Sequence, residues 1–199
     1  HTPLGIQPDG GHDDEFFMSK GRYLSQGEWL GPFSQLTLMK GPGYPAFLAI
    51  ASWLGAPISF THAVFRAAAV TIFVAISHHF IRSVLLSGVL FTLLLWHPYS
   101  LMLLRILREQ IYPSQVLLLL GVVAAAVYLA TTLKQRTIFA ALGGLLLGWV
   151  WLTREEGVWI LPGLAVVLAP AVWRAYRESK LRESAMPLAL MLATFVATQ

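Results

Sequence analysis

The feature that most limits what this chain can fold into is a succession of long apolar runs separated by short charged turns. From residue 58 onward the runs cover roughly 58–77, 83–101, 112–133, 137–153 and 157–173, and a last one starts near Ala185 and reaches the end. About 20 helical residues cross the hydrocarbon of a bilayer. In lipid a spanning segment must satisfy its own backbone hydrogen bonds, so such runs take the form of helices. Composition agrees, with 56% hydrophobic and only 12% charged residues, against about 25% charge in soluble domains. The expected fold class is all-α, a polytopic transmembrane helical bundle with about five to six spans over 44–199.

Residues 1–43 are polar, rich in Gly and Pro, and free of long apolar runs. They read as an extracytoplasmic loop carrying short amphipathic helices. Glu15 to Leu24 fits one such helix, with Phe16, Phe17, Tyr23 and Leu24 on its apolar side. Asp13 or Asp14 is placed to cap its start. Residues 44–54 are apolar but too short to span, and the Gly55-Ala56-Pro57 break follows. They read as an interfacial or half-buried helix. The chain opens at His1 without Met or a signal peptide and closes beside an apolar run at Gln199. It is therefore expected to be a fragment, lacking at least one helix before His1 and further chain after Gln199.

The turns alternate in charge. Those near 80, 135 and 178 hold seven Lys/Arg and two acids. The N-terminal segment and the turns near 107 and 155 hold six Lys/Arg and eight acids. Short cytoplasmic loops favour Lys and Arg. The basic turns are thus expected in the cytoplasm, and the acidic group on the exterior, periplasmic or luminal side. The basic residues form no stripe, which argues against nucleic-acid binding. The absence of Cys excludes disulfides, thiolate metal sites and a cysteine nucleophile.

Four constellations carry candidate chemistry. His12-Asp13-Asp14-Glu15 crowds three carboxyl groups, which need a cation, a basic partner or water. They offer a general base for a hydroxyl or oxygen ligands for a divalent metal, with Asp13 and His12 as metal candidates. A solvated acidic loop with one helix cap explains them too. Lys40-Gly41-Pro42-Gly43-Tyr44-Pro45 puts a cation at headgroup level before an apolar helix. It suits a phosphate or simple snorkelling. Arg105, Arg108 and Glu109 fall three and four apart, as on one helical face. Thr153-Arg154-Glu155-Glu156-Gly157 is a very short turn whose charges lie close to the bilayer. Arg66, inside an apolar run, reads as a partner for a carboxylate on a neighbouring helix. His62, His78, His79 and His97 sit near helix ends, where an amphipathic ring is comfortable, and are not expected to be ligands.

The order of these elements resembles a known family. Asp14-Glu15 opens an amphipathic helix followed by Gly27-Glu28-Trp29-Leu30; Lys40 to Pro45 opens a hydrophobic helix; Glu109 follows an apolar run; and Arg154-Glu155-Glu156-Gly157 leads into a further helix and Pro162. The chain resembles the GT-C superfamily of polytopic glycosyltransferases, above all the protein O-mannosyltransferases and the lipid A aminoarabinose transferases. The resemblance spans nearly the whole chain through short, degenerate motifs. It implies a polyprenyl-phosphate sugar as donor and a lipid, glycan or protein acceptor. It also implies a multi-pass protein of the bacterial inner membrane whose site faces the periplasm or exterior. By position Asp14, followed by Glu15, matches the catalytic acidic pair, with Asp13 as the alternative register. Lys40 matches the lysine on the lipid phosphate, Glu109 a second acidic position, and Arg154 an arginine of the later turn. Arg108 joins Lys40 and Arg154 as a candidate for the donor phosphate. Some relatives carry a glutamate before that lysine and use it for a metal; this chain has Met39 there. The implied reaction is one inverting displacement at the anomeric carbon, with Asp14 as general base. The alternatives from the residues themselves are a transporter or flippase, and a non-catalytic membrane subunit.

Overall fold

A computed structural model describes residues 13–32, 40–97, 106–177 and 181–199. Within them the chain is helical, without strands. The amphipathic helix expected near 15–24 is present as α1 (Asp13–Ser25). Its first turn holds Asp13, Asp14 and Glu15 and its last turn Arg22, charges that oppose the helix dipole at each end. Both aspartates thus lie inside the helix rather than before it. The short helix expected over 44–54 is α2 (Gly43–Trp53). It stops at Gly55, which takes a φ of +62°, and Pro57 precedes α3 (Ile58–Ile81).

The remaining elements are apolar. Arg82, in the left-handed region, ends α3, and the Ser83 hydroxyl accepts from Leu86 N–H to start α4 (Val84–Leu95). A three-residue 3-10 turn at Arg108–Gln110 leads into α5 (Tyr112–Ala124), which continues through a π-helical segment to Leu129. Thr132 and Gln135 form a reciprocal cap on α6 (Leu133–Thr153). A 3-10 segment, Glu155–Ile160, precedes α7 (Leu161–Arg177), and α8 (Leu181–Ala197) closes the described chain.

Among the described residues three helices are long and apolar enough to cross a membrane: Ile58–Ile81, Tyr112–Leu129 and Leu133–Thr153. At 1.5 Å per residue even the shortest extends about 27 Å, close to the hydrocarbon thickness of about 30 Å. Shorter apolar helices occupy Val84–Leu95, Gly157–Pro170 and Met186–Ala197. Of the run expected over 83–101, the described part is helical over Val84–Leu95, and residues 98–101 lie outside the described residues. Outward-facing side chains on α3 include Phe60, Val64, Ile72 and Phe80, an apolar exterior suited to lipid.

Side-chain contacts give the helix directions. Gly121 of α5 meets Phe73 and Ile76 of α3, and Tyr128 meets Phe80, so α3 and α5 run the same way. Gln115 reaches Thr153 and Val123 reaches Gly143, so α6 runs back. Gly143 faces Met191 and Gly148 faces Thr198, so α8 follows α6. One end of the bundle therefore collects the start of α3, residues 106–112, the turn after Thr153 and the end of α8. The other end collects Arg82, the turn before α6 and the start of α8. Among the described residues, Asp13, Asp14 and Glu109 lie toward the first end, and Arg82, Lys134 and Arg136 at the other.

Two apolar clusters hold this arrangement. Leu119, Val123, Ala140, Leu147, Val150 and Leu164 form the centre of the bundle. Phe17, Tyr44, Phe47, Leu48, Ile106 and Ile111 form a second cluster at the acidic end. The α6–α8 contact is close because Gly144 has no side chain: a Cβ there would overlap Thr194 and the Met191 carbonyl. Gly144→Leu should therefore cost about 1–3 kcal/mol through overpacking. Gly88→Ala, whose Cβ would meet open space, should cost nothing. Thermal unfolding of the two variants in detergent checks the contrast.

Candidate functional site

The site is built where the second cluster meets the charged end of the bundle. In α1 the three acids diverge by about 100° each. Asp14 is buried, Asp13 is half-buried and Glu15 is exposed. Lys40 reaches across from the loop before α2 and pairs with Asp13. Its ammonium also lies over the Phe17 ring, 5.6 Å from the centroid, a favourable cation–π position. The lysine thus engages the alternative aspartate, while Asp14 turns inward. Glu15, paired with Asp14 in sequence, does not join it in space.

The loop carrying Lys40 is seated on the end of α6. A Cβ on Gly43 would overlap Thr153, and one on Gly41 would overlap the Leu152 carbonyl. Only glycine allows this backbone-to-backbone approach. Trp149 Nε1 donates to the Gly43 carbonyl at 3.0 Å. Thr153, itself buried, donates to the Trp149 carbonyl at 2.8 Å and accepts from Gln115 Nε2 at 2.9 Å. Gln115 is fully buried, and its Oε1 has no hydrogen-bond partner among the described residues. The next residue after Thr153 is Arg154, whose guanidinium stacks over the Tyr112 ring at 5.4 Å.

Arg108 and Glu109 occupy the 3-10 turn just before Tyr112, with Arg108 Nε 3.8 Å from Glu109 Oε1. The sequence expectation of one helical face through Arg105, Arg108 and Glu109 is corrected here. Leu107 is extended (φ −124°, ψ 148°), so no helix runs through it, and the ion pair joins sequence neighbours. Arg108 and Arg154 flank the start of α5, which has no side-chain cap. A helix N-terminus with cations beside it favours an anion.

Tyr44 ties these pieces together. It is fully buried, and its hydroxyl lies 3.2 Å from His62 Nε2 of α3. Burial raises the phenol pKa above its ordinary value, and the negative charges of Asp14 and Glu109 raise it further. One phenol therefore lies in the field of carboxylates from α1 and from the 108–110 turn. Its ring is fixed edge-on against Phe17, with centroids 5.2 Å apart, and stacks on Phe47 and His62.

The structure thus gathers Asp13, Asp14, Lys40, Arg108, Glu109 and Arg154 at one end of the bundle, from four separated segments. His12, Met39 and Arg105 lie outside the described residues, and of Glu155 and Glu156 only the backbone is described. Among the described residues no group of three or more His, Asp or Glu could hold a metal, and Asp13 already carries Lys40. Sequence reasoning missed Tyr44, His62 and Gln115 as members of the site. His62 was expected to rest as an amphipathic ring near a helix end; it is buried because Tyr44 offers it a hydrogen bond inside an aromatic cluster. Two signals were present: Tyr44 inside the Gly-Pro-Gly-Tyr-Pro segment, and His62 four residues before Arg66 in an apolar run. Comparison with protein-family models, with curated proteins and with solved structures gives no match.

The raised Tyr44 pKa has a thermodynamic consequence. Folding favours the neutral phenol, so this contribution is complete below the unfolded tyrosine value of about 10 and is lost as pH rises above it. The wild-type protein should lose stability from about pH 10 upward, and Tyr44→Phe should lose less over that range. Denaturation midpoints between neutral and strongly alkaline pH check this sign.

Proposed function

We propose that this chain belongs to a membrane glycosyltransferase that moves a sugar from a polyprenyl-phosphate donor to a lipid, glycan or protein acceptor on the extracytoplasmic side. The observation that supports it most is the gathering of a buried aspartate and three cations at one end of an apolar helical bundle. The likeness of its motifs to the GT-C superfamily supplies the reaction class. A transporter would place its ionisable groups near the bilayer midplane, often in broken helices; here they cluster at helix ends.

In this reading Asp14 takes the proton of the acceptor hydroxyl. The acceptor oxygen bonds to the anomeric carbon as the bond from that carbon to the phosphate oxygen breaks, inverting the centre. The polyprenyl phosphate leaves with the electron pair. Lys40, Arg108 and Arg154 offset the charge that builds on it. The burial of Asp14 keeps bulk water from the reacting carbon and so limits hydrolysis of the donor. The outward apolar face of α3 gives the prenyl chain a surface continuous with lipid.

Asp14→Asn in the membrane-inserted protein should reduce release of labelled sugar from a polyprenyl-phosphate donor by about 10²-fold or more, with insertion unchanged. Wild-type turnover by this variant would remove the assignment of the base. If Asp13→Asn alone lost turnover, the base would move to Asp13. Movement of intact donor across the bilayer without sugar release would replace the enzyme with a flippase.

The proposed orientation has its own test, because the chain has no native cysteine. Glu28 and Lys134 are exposed at opposite ends of the bundle. Glu28→Cys should react with an impermeant maleimide on intact spheroplasts, and Lys134→Cys only after permeabilisation. Equal labelling of both would overturn the orientation.

A further inference from the structure

Helix α2 is apolar all round. Gly43–Trp53 holds no charged residue. By contrast α1, packed on it through the close approach of Gly21 to Pro45 and Leu48, holds Asp13, Asp14, Glu15, Lys20 and Arg22. Tyr44, Phe47, Leu48 and Ala51 fill the inner side of α2. Ile50, Trp53 and Leu54, three and four apart, stand outward, the last two 66% and 70% exposed. We infer that this outward side is a lipid-anchoring surface: α2 lies along the headgroup–acyl boundary of the leaflet at the acidic end, with α1 on its watery side. The inference goes beyond the sugar-transfer reading and depends only on α3 crossing the bilayer.

The one polar atom of the Trp53 indole is already satisfied, because Nε1 donates to the Ser25 carbonyl at 2.8 Å. The ring can therefore leave water without stranding a donor. The outward side of α2 is also continuous with the lipid-facing flank of α3. Gly55, Ala56 and Pro57 are all that separates Leu54 from α3, whose outward large side chains begin with Phe60 and Val64. Charge sorts the same way. The exposed Glu15, Arg22 and Glu28 belong to α1 and the turn after it, while the large exposed side chains of α2 are Ile50 and Trp53.

Exposed aromatic rings mark both ends of the bundle. Phe60 and Phe80, near the two ends of α3, are 20 residues apart. That is a rise of about 30 Å, equal to the hydrocarbon thickness of about 30 Å. On the α7 side, Trp159 is exposed at the acidic end, and Trp173 and Tyr176 at the far end. Between them α7 runs alongside α5, with Gly163 near Leu120 and the Tyr128 hydroxyl donating to the Val167 carbonyl. A protein partner covers one side of a bundle. A bilayer meets every side at the same two levels, where Trp and Tyr are favoured. Trp53 belongs to the level at the acidic end. Because α1 and the Lys40 loop are carried on α2, its seat in lipid sets the height of Asp13, Asp14 and Lys40 over the acyl chains.

The chain has no native cysteine, so single nitroxide labels can report each position in the full chain, reconstituted in phosphatidylcholine–phosphatidylglycerol vesicles. Labels at Ile50→Cys and Leu54→Cys should collide with oxygen in preference to a water-soluble nickel chelate, with a ratio close to that at Val64→Cys on α3. Arg22→Cys and Glu28→Cys should show the opposite preference, with a severalfold lower ratio. The Leu54→Cys label should lie about 5–10 Å below the lipid phosphates. Two labelled positions on α2 keep the test open if either substitution disturbs the helix. Nickel preference at both, with Val64→Cys still in lipid, would overturn the anchor and leave the spanning helix intact. Immobilised labels that neither reagent reaches would overturn it in favour of a protein partner on this face. Nickel preference at Val64→Cys as well would remove the membrane reading along with the anchor. None of these outcomes depends on sugar transfer, so the proposed reaction stands or falls separately.

Discussion

Everything at the charged end of the molecule depends on how closely residues 41–43 approach the last turn of α6. Gly43 lies against Thr153 without an intervening side chain, and Trp149 fixes it through the Gly43 carbonyl. Lys40 precedes this contact, Tyr44 follows it, and Arg154 follows its partner Thr153. Three side chains from two distant parts of the chain are therefore placed by one backbone junction. Gln115 secures it from α5 by donating to Thr153. A buried amide that loses such a partner costs about 1–3 kcal/mol, so the junction is cooperative: loosening Thr153 unseats the loop and strands the glutamine together.

The polar groups around this junction are arranged by depth. At the outside, Lys40 pairs with a carboxylate that is 43% exposed; such a pair is screened and contributes little to stability. Farther in, Tyr44 and His62 share a hydrogen bond inside a wall of Phe17, Phe47, Phe65 and Trp149. There an unmade hydrogen bond is costly, so the geometry is tightly specified. Asp14 belongs to the inner group by burial and to the outer one by sequence. That double membership separates it from Asp13 and Glu15, its immediate neighbours.

Much of this fold is legible in the sequence because long apolar runs have few backbone solutions, and in the described residues they become helices. The three long apolar helices, the short α2 and the amphipathic α1 all follow from run length and periodicity. Local backbone geometry is less visible. The spacing of Arg105, Arg108 and Glu109 fits a helical face, but an extended Leu107 breaks it. The run over 83–101 looks uniform, yet its described helix ends at Leu95. The inner site is least visible of all. Nothing in the spacing of Tyr44 and His62, or of Gln115 and Thr153, reveals that they meet, because each pair is made by helix packing. His62 reads as an interfacial ring until Tyr44 is seen beside it.

Charge balance links these observations to the proposed reaction. Asp13, Asp14 and Glu109 are matched by Lys40, Arg108 and Arg154, three of each sign. Counted over these six groups, the formal charge is zero. In the proposed reaction a lipid-linked phosphate competes with Asp13 for Lys40 and makes the sum over these groups negative. In that reaction, proton transfer from an acceptor to Asp14 leaves the total unchanged and shifts one negative charge from Asp14 to the leaving phosphate, and departure of the polyprenyl phosphate removes it. Donor binding and proton uptake are therefore coupled through the same small set of charges. In an apolar surrounding this coupling is poorly screened. In the same proposed reaction an acceptor arriving first meets these groups without the donor's charge, where the demand for its proton is lower, so the proposal carries an order with the donor first.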